Sequence, residues 1–149
     1  MKLKTLFVTL LAALALVPLA AGCSPLALAA SGTDAPVSLD GTSWTLIRLL
    51  DKDLIPNTKA TLTFEGDQIG GTASCNRYFG GVTIEDDSLT VGMVGSTEMW
   101  CGEPEGLMNQ ETDYLKALGS VARYSVENDK LTLFDADGQA LLVFAPSAD

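Results

Sequence analysis

From Thr42 onward, apolar and polar residues alternate with a period close to two, interrupted at short intervals by turn residues. Such alternation puts every second side chain on the same face of a strand. Thr42 to Leu50 carries Trp44, Leu46 and Arg48 on one face and Thr45, Ile47 and Leu49 on the other. Ala60 to Phe64 alternates cleanly, Glu65-Gly66-Asp67 turns the chain, and Gln68 to Ala73 runs back. Tyr78 to Glu85 and Leu89 to Val91 flank Asp86-Asp87-Ser88. Val121 to Glu127 and Lys130 to Phe134 flank Asn128-Asp129, a two-residue hairpin signal, and Ala140 to Ala145 follows the turn cluster Asp135-Ala136-Asp137-Gly138. Short β-branched runs punctuated in this way predict antiparallel hairpins.

Pro104 to Gly119 breaks the pattern. Thr112 is its one β-branched residue, and Leu107, Met108, Tyr114, Leu115 and Leu118 fall on one helical arc. Pro104 suits a helix start and Gly119 its end. At about 100° per residue, Glu111 sits in the middle of the apolar arc. That position predicts a structural buried carboxylate that holds the helix in register on the sheet. A buried charge without partners is very costly. Glu111 therefore needs donors, either backbone N–H groups of the Cys75-Asn76 loop or an arginine such as Arg77 or Arg48. The expected fold is mainly β (α+β): an antiparallel sheet of short hairpins curled toward a half-open barrel, with one helix packed on it.

The first residues follow neither period. Lys2 and Lys4 precede Leu6 to Ala21, which is apolar except for Thr9, and small residues lead into Leu19-Ala20-Ala21-Gly22-Cys23. A positive start, an apolar stretch and a small-residue exit mark a secretory signal. Pro18 interrupts a run that would need roughly 20 apolar residues to span a membrane. The exit resembles the lipobox of bacterial lipoproteins, with Ala20 where Leu is commoner. It implies cleavage before Cys23 and acylation of its thiol, so the chain is expected to be anchored to the membrane by lipid. Ser24 rather than Asp after the cysteine suits an outer-membrane lipoprotein facing the periplasm, or the extracytoplasmic face of the plasma membrane where there is no outer membrane. The expected organisation is a signal peptide at 1–22, a lipidated N-terminus and flexible tether at 23–38, a domain at 39–145 and a tail at 146–149.

Removing residues 1–22 takes Lys2 and Lys4 with it, so 9 basic residues become 7 against 19 acidic, a net charge of −12. Such a charge repels phosphate backbones, and nucleic acid is excluded as a partner. There is no histidine, so the commonest general base and metal ligand is missing. After lipidation only Cys75 and Cys101 remain, too few for a zinc site without carboxylates. In an oxidising compartment this even pair reads as a disulfide, with two buried free thiols as the alternative. Closing a loop of about 27 residues would stabilise the fold by ~3.5 kcal/mol in the chain-entropy model. Glu85-Asp86-Asp87 and Asp135-x-Asp137-Gly138 read as hairpin turns rather than as catalytic carboxylates or a calcium loop. No catalytic residue, cofactor or metal is expected.

Five motifs then carry a resemblance. Gly41-Thr42-Ser43-Trp44, Leu62-Thr63-Phe64, Cys75-Asn76-Arg77-Tyr78-Phe79-Gly80, Thr97-Glu98-Met99-Trp100-Cys101, and Glu111 with Tyr114-Leu115 and Ala117-Leu118 together resemble the META/HslJ domain family across Leu39 to Ala145. Ser74, Val82 and Trp100 depart from its usual Gly, aromatic and Ala. The resemblance implies one compact β-rich domain with one helix, often in envelope lipoproteins, tied to stress or drug tolerance and without an established enzymatic activity. The expected function is non-catalytic binding of an envelope protein partner. Asn76, Arg77, Tyr78, Phe79 and Trp100, flanking the cysteines, are the candidate contact patch. The alternative is a half-open barrel carrying a small hydrophobic ligand or lipid at its mouth.

Overall fold

The computed structural model describes residues 37–148. The expected signal peptide, Cys23 and most of the tether lie outside the described residues, as does Asp149. In chain order the elements are β1 (Ser43–Leu49), β2 (Thr61–Glu65), β3 (Gln68–Thr72), β4 (Arg77–Glu85), β5 (Ser88–Ser96), α1 (Leu107–Leu118), β6 (Arg123–Glu127), β7 (Lys130–Phe134) and β8 (Ala140–Pro146). Each strand pairs antiparallel with the next, and β8 returns to β1, so the sheet forms a ring. Its seams are unequal. β1 and β8 match from Trp44↔Pro146 to Leu49↔Leu142, whereas β5 and β6 match only at Ser88↔Arg123.

Local chemistry explains where the strands turn and where the expected boundaries move. Asn128 and Asp129 both take left-handed φ, 51° and 58°, the paired requirement of a type I′ hairpin. Glu85 pairs with Ser88, so the Asp86-Asp87 turn is one residue shorter than expected. β1 shifts register between Leu46 and Arg48. A bulge of this kind adds a residue and reverses the alternation beyond it. Leu49 consequently turns inward, and Arg48, expected on the Trp44 face, is exposed and donates to the Asp51 carbonyl at 3.2 Å. α1 begins at Leu107 rather than at Pro104, because Gly106 takes a left-handed φ of 85° just before it. The Pro104 carbonyl instead accepts the Leu107 N–H at 3.1 Å, closing the turn that leads in. At the other end of the chain, β8 includes Pro146, and the Ser147 N–H donates to the Ser43 carbonyl at 2.9 Å. The domain thus runs further than the expected boundary at 145.

Inward alternation fills the ring. Leu62, Phe64, Leu131, Leu133, Leu142 and Phe144 are fully buried inside it. α1 seals one end with the face carrying Leu107, Gln110, Glu111, Tyr114, Ala117 and Leu118. Its polar members reach the loops that emerge there: Gln110 accepts the Ile55 N–H at 2.8 Å and donates to Thr58 Oγ1 at 2.9 Å and Ser74 Oγ at 3.1 Å. The opposite end receives the entering chain, where the Gly66 N–H donates to Asp40 Oδ1 at 2.7 Å.

Candidate functional site

The corner between β3 and β4 is built around one buried carboxylate. Glu111 is 5% exposed. Its Oε2 accepts the N–H groups of Cys75 at 3.1 Å and Asn76 at 2.7 Å, and its Oε1 accepts Asn76 Nδ2 at 2.6 Å. Backbone and amide donors satisfy it; Arg48 and Arg77, the arginine alternatives, are both exposed and take no part. Asn76, 2% exposed, passes the connection on. Its Oδ1 accepts Thr97 Oγ1 and the Met99 N–H, both at 2.7 Å, and its Nδ2 donates to the Met99 carbonyl at 3.0 Å. Cys75 and Cys101 are disulfide-bonded, with Cα atoms 6.0 Å apart. The segment 97–101 is therefore held by hydrogen bonds at Thr97 and Met99 and by a covalent bond at Cys101.

Beneath this corner lies a tyrosine pair. The Tyr78 hydroxyl donates to the Thr61 carbonyl at 2.8 Å, and the Tyr114 hydroxyl sits 2.6 Å from it. With the Tyr78 proton committed to Thr61, Tyr114 is the donor of that second bond. The rings meet edge to face, centroids 5.6 Å apart, a favoured geometry. Burial pushes both hydroxyls above the ordinary tyrosine value; the neighbouring Tyr78 adds to the rise at Tyr114, and the bond from Tyr114 partly offsets it at Tyr78. The Thr61 carbonyl is free for this role because the Thr72 N–H, opposite it on β3, donates to Thr61 Oγ1 at 3.1 Å instead, and the backbone of Gly71 passes very close. A Cβ on Gly71 would lie 2.1 Å from that carbonyl oxygen, so only glycine fits.

The outer face of the same segments is different. Phe79 is 67% exposed, Met99 55% and Trp100 81%. Arg77 is exposed beside them, its carbonyl accepting the Thr97 N–H at 3.0 Å. Two members of the expected patch are not on this face. Asn76 is spent on the carboxylate lock, and Tyr78, 2% exposed, points inward because it alternates with Arg77 and Phe79 along β4. Against Phe79 and Arg77 runs a groove of about 710 Å³ over the outer side of β2 and β3, floored by Gly70 and walled opposite by Thr61, Thr63 and Glu65. Glu65 is the one carboxylate lining it. Among the described residues no cluster of acidic and cysteine side chains is placed to hold a metal ion.

Sequence reasoning missed Met93, which is 94% exposed, and Gln110. Gln110 lies about 40° outside the arc of apolar residues at about 100° per residue, and is buried because the helix turns that flank, with Ala117, inward. Met93 was not legible, because the run expected from Leu89 stops at Val91, whereas the strand continues to Ser96.

The sequence profile of the META domain matches residues 37–148. No curated protein matches the chain. Among solved structures, an NMR structure of a protein from Burkholderia xenovorans is similar at 29% identity and TM-score 0.61, covering 74% of this chain and 85% of its own. A second NMR structure is similar at 23% identity and TM-score 0.56, covering 71% and 90%. A crystal structure of a DUF4847 family protein from Bacteroides vulgatus, 11% identical with TM-score 0.53 over 72% and 93%, shares the fold.

Proposed function

The chain belongs to the META domain family, and on that premise we propose that it is a lipid-anchored, non-catalytic domain that binds an envelope protein in envelope maintenance, stress response or drug tolerance. Cys23 carries the anchor, and the domain faces the periplasm from the outer membrane. One observation supports binding above the rest. Met99 and Trp100 are exposed on a segment pinned by Asn76 and by the disulfide. Exposed large apolar side chains mark interaction sites, and a segment already fixed loses little conformational entropy when a partner covers it. The filled interior counts against the carrier reading, which requires an apolar chamber.

Two experiments test this. Cys23→Ser should leave unprocessed precursor and abolish acyl labelling, and labelling that persists would refute the anchor. Immobilised wild-type chain and a Phe79→Ser/Trp100→Ser variant are then exposed to detergent-solubilised envelopes of the source cells. A protein retained by the wild type and lost by the variant is expected; equal retention by both would place binding elsewhere.

A further inference from the structure

The weak seam of the ring leaves a strand edge uncovered. β5 pairs with β4 along its length, from Glu85↔Ser88 to Tyr78↔Ser96. On its other side it meets β6 only at Ser88↔Arg123. Two backbone bonds flank that position, Leu89 N–H to the Ala122 carbonyl at 3.1 Å and Tyr124 N–H to the Asp87 carbonyl at 3.0 Å. Among the described residues, no further backbone bond reaches the outer edge of Thr90 to Ser96. The Thr97 N–H points toward β4, where it meets the Arg77 carbonyl. By strand alternation the Ser96 N–H points the other way, to the open edge, and so does that of Val94.

Natural sheets protect such edges with lysine, proline, inward charges or bulges. Ser88 to Ser96 contains no charge and no proline, and its one irregularity, Gly92–Met93 opposite Gly81, leaves Val94 to Ser96 in regular pairing with β4. Thr90, Gly92, Met93 and Ser96 are exposed along it. The Phe79 ring lies over Gly95, where an added Cβ would come within 3.0 Å of it. An exposed aromatic therefore covers the outer face beside the open edge.

We propose that the outer edge of β5, Thr90 to Ser96, binds an extended basic peptide segment of a partner protein as an added β-strand. The proposal deepens the binding reading above, on which it rests, and names the chemistry of the partner. Main-chain hydrogen bonds supply affinity in this mode, and alternate side chains supply specificity. Here the alternate side chains meet Met93 and Phe79. Charge selects the occupant. Exposed Glu85, Asp86 and Asp87 stand at one end of the edge, and exposed Glu98, Glu103 and Glu105 follow the other. A second copy paired antiparallel through β5 would set these acidic ends against each other, and like charges directly opposite destabilise a strand pair. A basic segment meets complementary charge at both ends.

The test uses the full chain in detergent micelles and a fluorescent nine-residue peptide of alternating valine and lysine. Binding is expected, with amide exchange at Val94 and Ser96 slowed at least tenfold at saturation. The same peptide N-methylated at alternate residues, and its valine–glutamate counterpart, should bind at least tenfold more weakly. Ser96→Pro should weaken binding similarly, and Met93→Lys at least fivefold. Met93→Lys changes only an exposed side chain, so it must melt with the wild type and keeps the test independent of folding. Normal binding by Ser96→Pro and Met93→Lys with unchanged exchange would overturn strand addition. Failure of every peptide to bind would also overturn it, whereas the binding reading stands or falls on Phe79 and Trp100. Exchange at Val94 and Ser96 that is already slow without peptide and slows further with protein concentration would assign the edge to a second copy.

Discussion

The two sides of the β3–β4 corner are made from the same few residues and use opposite chemistry. Inward, Asn76, Tyr78, Glu111 and Tyr114 are buried with their polar atoms bonded. Outward, Arg77, Phe79, Met99 and Trp100 are exposed, three of them large and apolar. A polar group belongs in a core only where every partner is present, and large apolar side chains grouped at the surface mark a place that another molecule covers. The contrast indicates that the interior network serves to fix the geometry of the outer face. If so, changes on the inner side should cost stability, and changes on the outer side should cost binding alone.

The largest stability effect is expected at Glu111. Glu111→Ala leaves the buried N–H of Asn76 and the half-buried N–H of Cys75 without their acceptor. At about 1.5–3 kcal/mol for each bond to a charged group, the loss should be about 3–6 kcal/mol, read as a lower denaturant midpoint. Glu111→Gln should also fall well below the wild type, because its amide turns a donor toward donors. Glu105→Ala, at an exposed position before the helix, should cost under ~0.5 kcal/mol; equal midpoints for all three would abolish the contrast. Removing the disulfide in Cys75→Ser/Cys101→Ser should cost somewhat less, ~3.5 kcal/mol by loop entropy. Purified wild-type chain should show no thiol at these two positions to alkylation before reduction.

The tyrosine pair gives a pH dependence of definite sign. Both hydroxyls have folded values raised above 10.0, so the unfolded chain releases protons that the folded chain retains. Their contribution is complete below about pH 10 and is lost as pH rises beyond it, by about 1.4 kcal/mol per pH unit for each tyrosine. Denaturant titrations at pH 9 and 11 should show this decline, and Tyr78→Phe/Tyr114→Phe should flatten it. Smallest of all are the outer changes. Phe79→Ser and Trp100→Ser should each shift stability by under ~0.5 kcal/mol, and a larger loss would mean these side chains belong to the fold.

Most of the architecture was legible because alternation and turn chemistry act locally. Asn128-Asp129 announced its hairpin, and the helical arc exposed Glu111 as a misplaced carboxylate that needed donors. What was hidden depended on register between distant strands. The bulge that turns Arg48 outward arises from how β1 meets β8, and nothing within Thr42 to Leu50 encodes it. The open edge of β5 results from β6 departing after one matched pair, and the run expected from Leu89 stops at Val91, whereas the strand continues to Ser96. At the site, proximity of Asn76 and Tyr78 to the cysteines suggested a shared surface. Strand alternation assigns Tyr78 to the core, and the demand of Glu111 for donors claims Asn76.

On the proposed function, the pinned outer corner of the domain meets a protein partner in the envelope. A photo-crosslinking amino acid placed in living cells at Phe79 or Trp100, and for comparison at exposed Lys130 on the distant β6–β7 hairpin, tests it directly. A discrete adduct is expected from positions 79 and 100, absent from position 130 and lost with Cys23→Ser. No adduct from the corner, or the same adduct from all three positions, would contradict it.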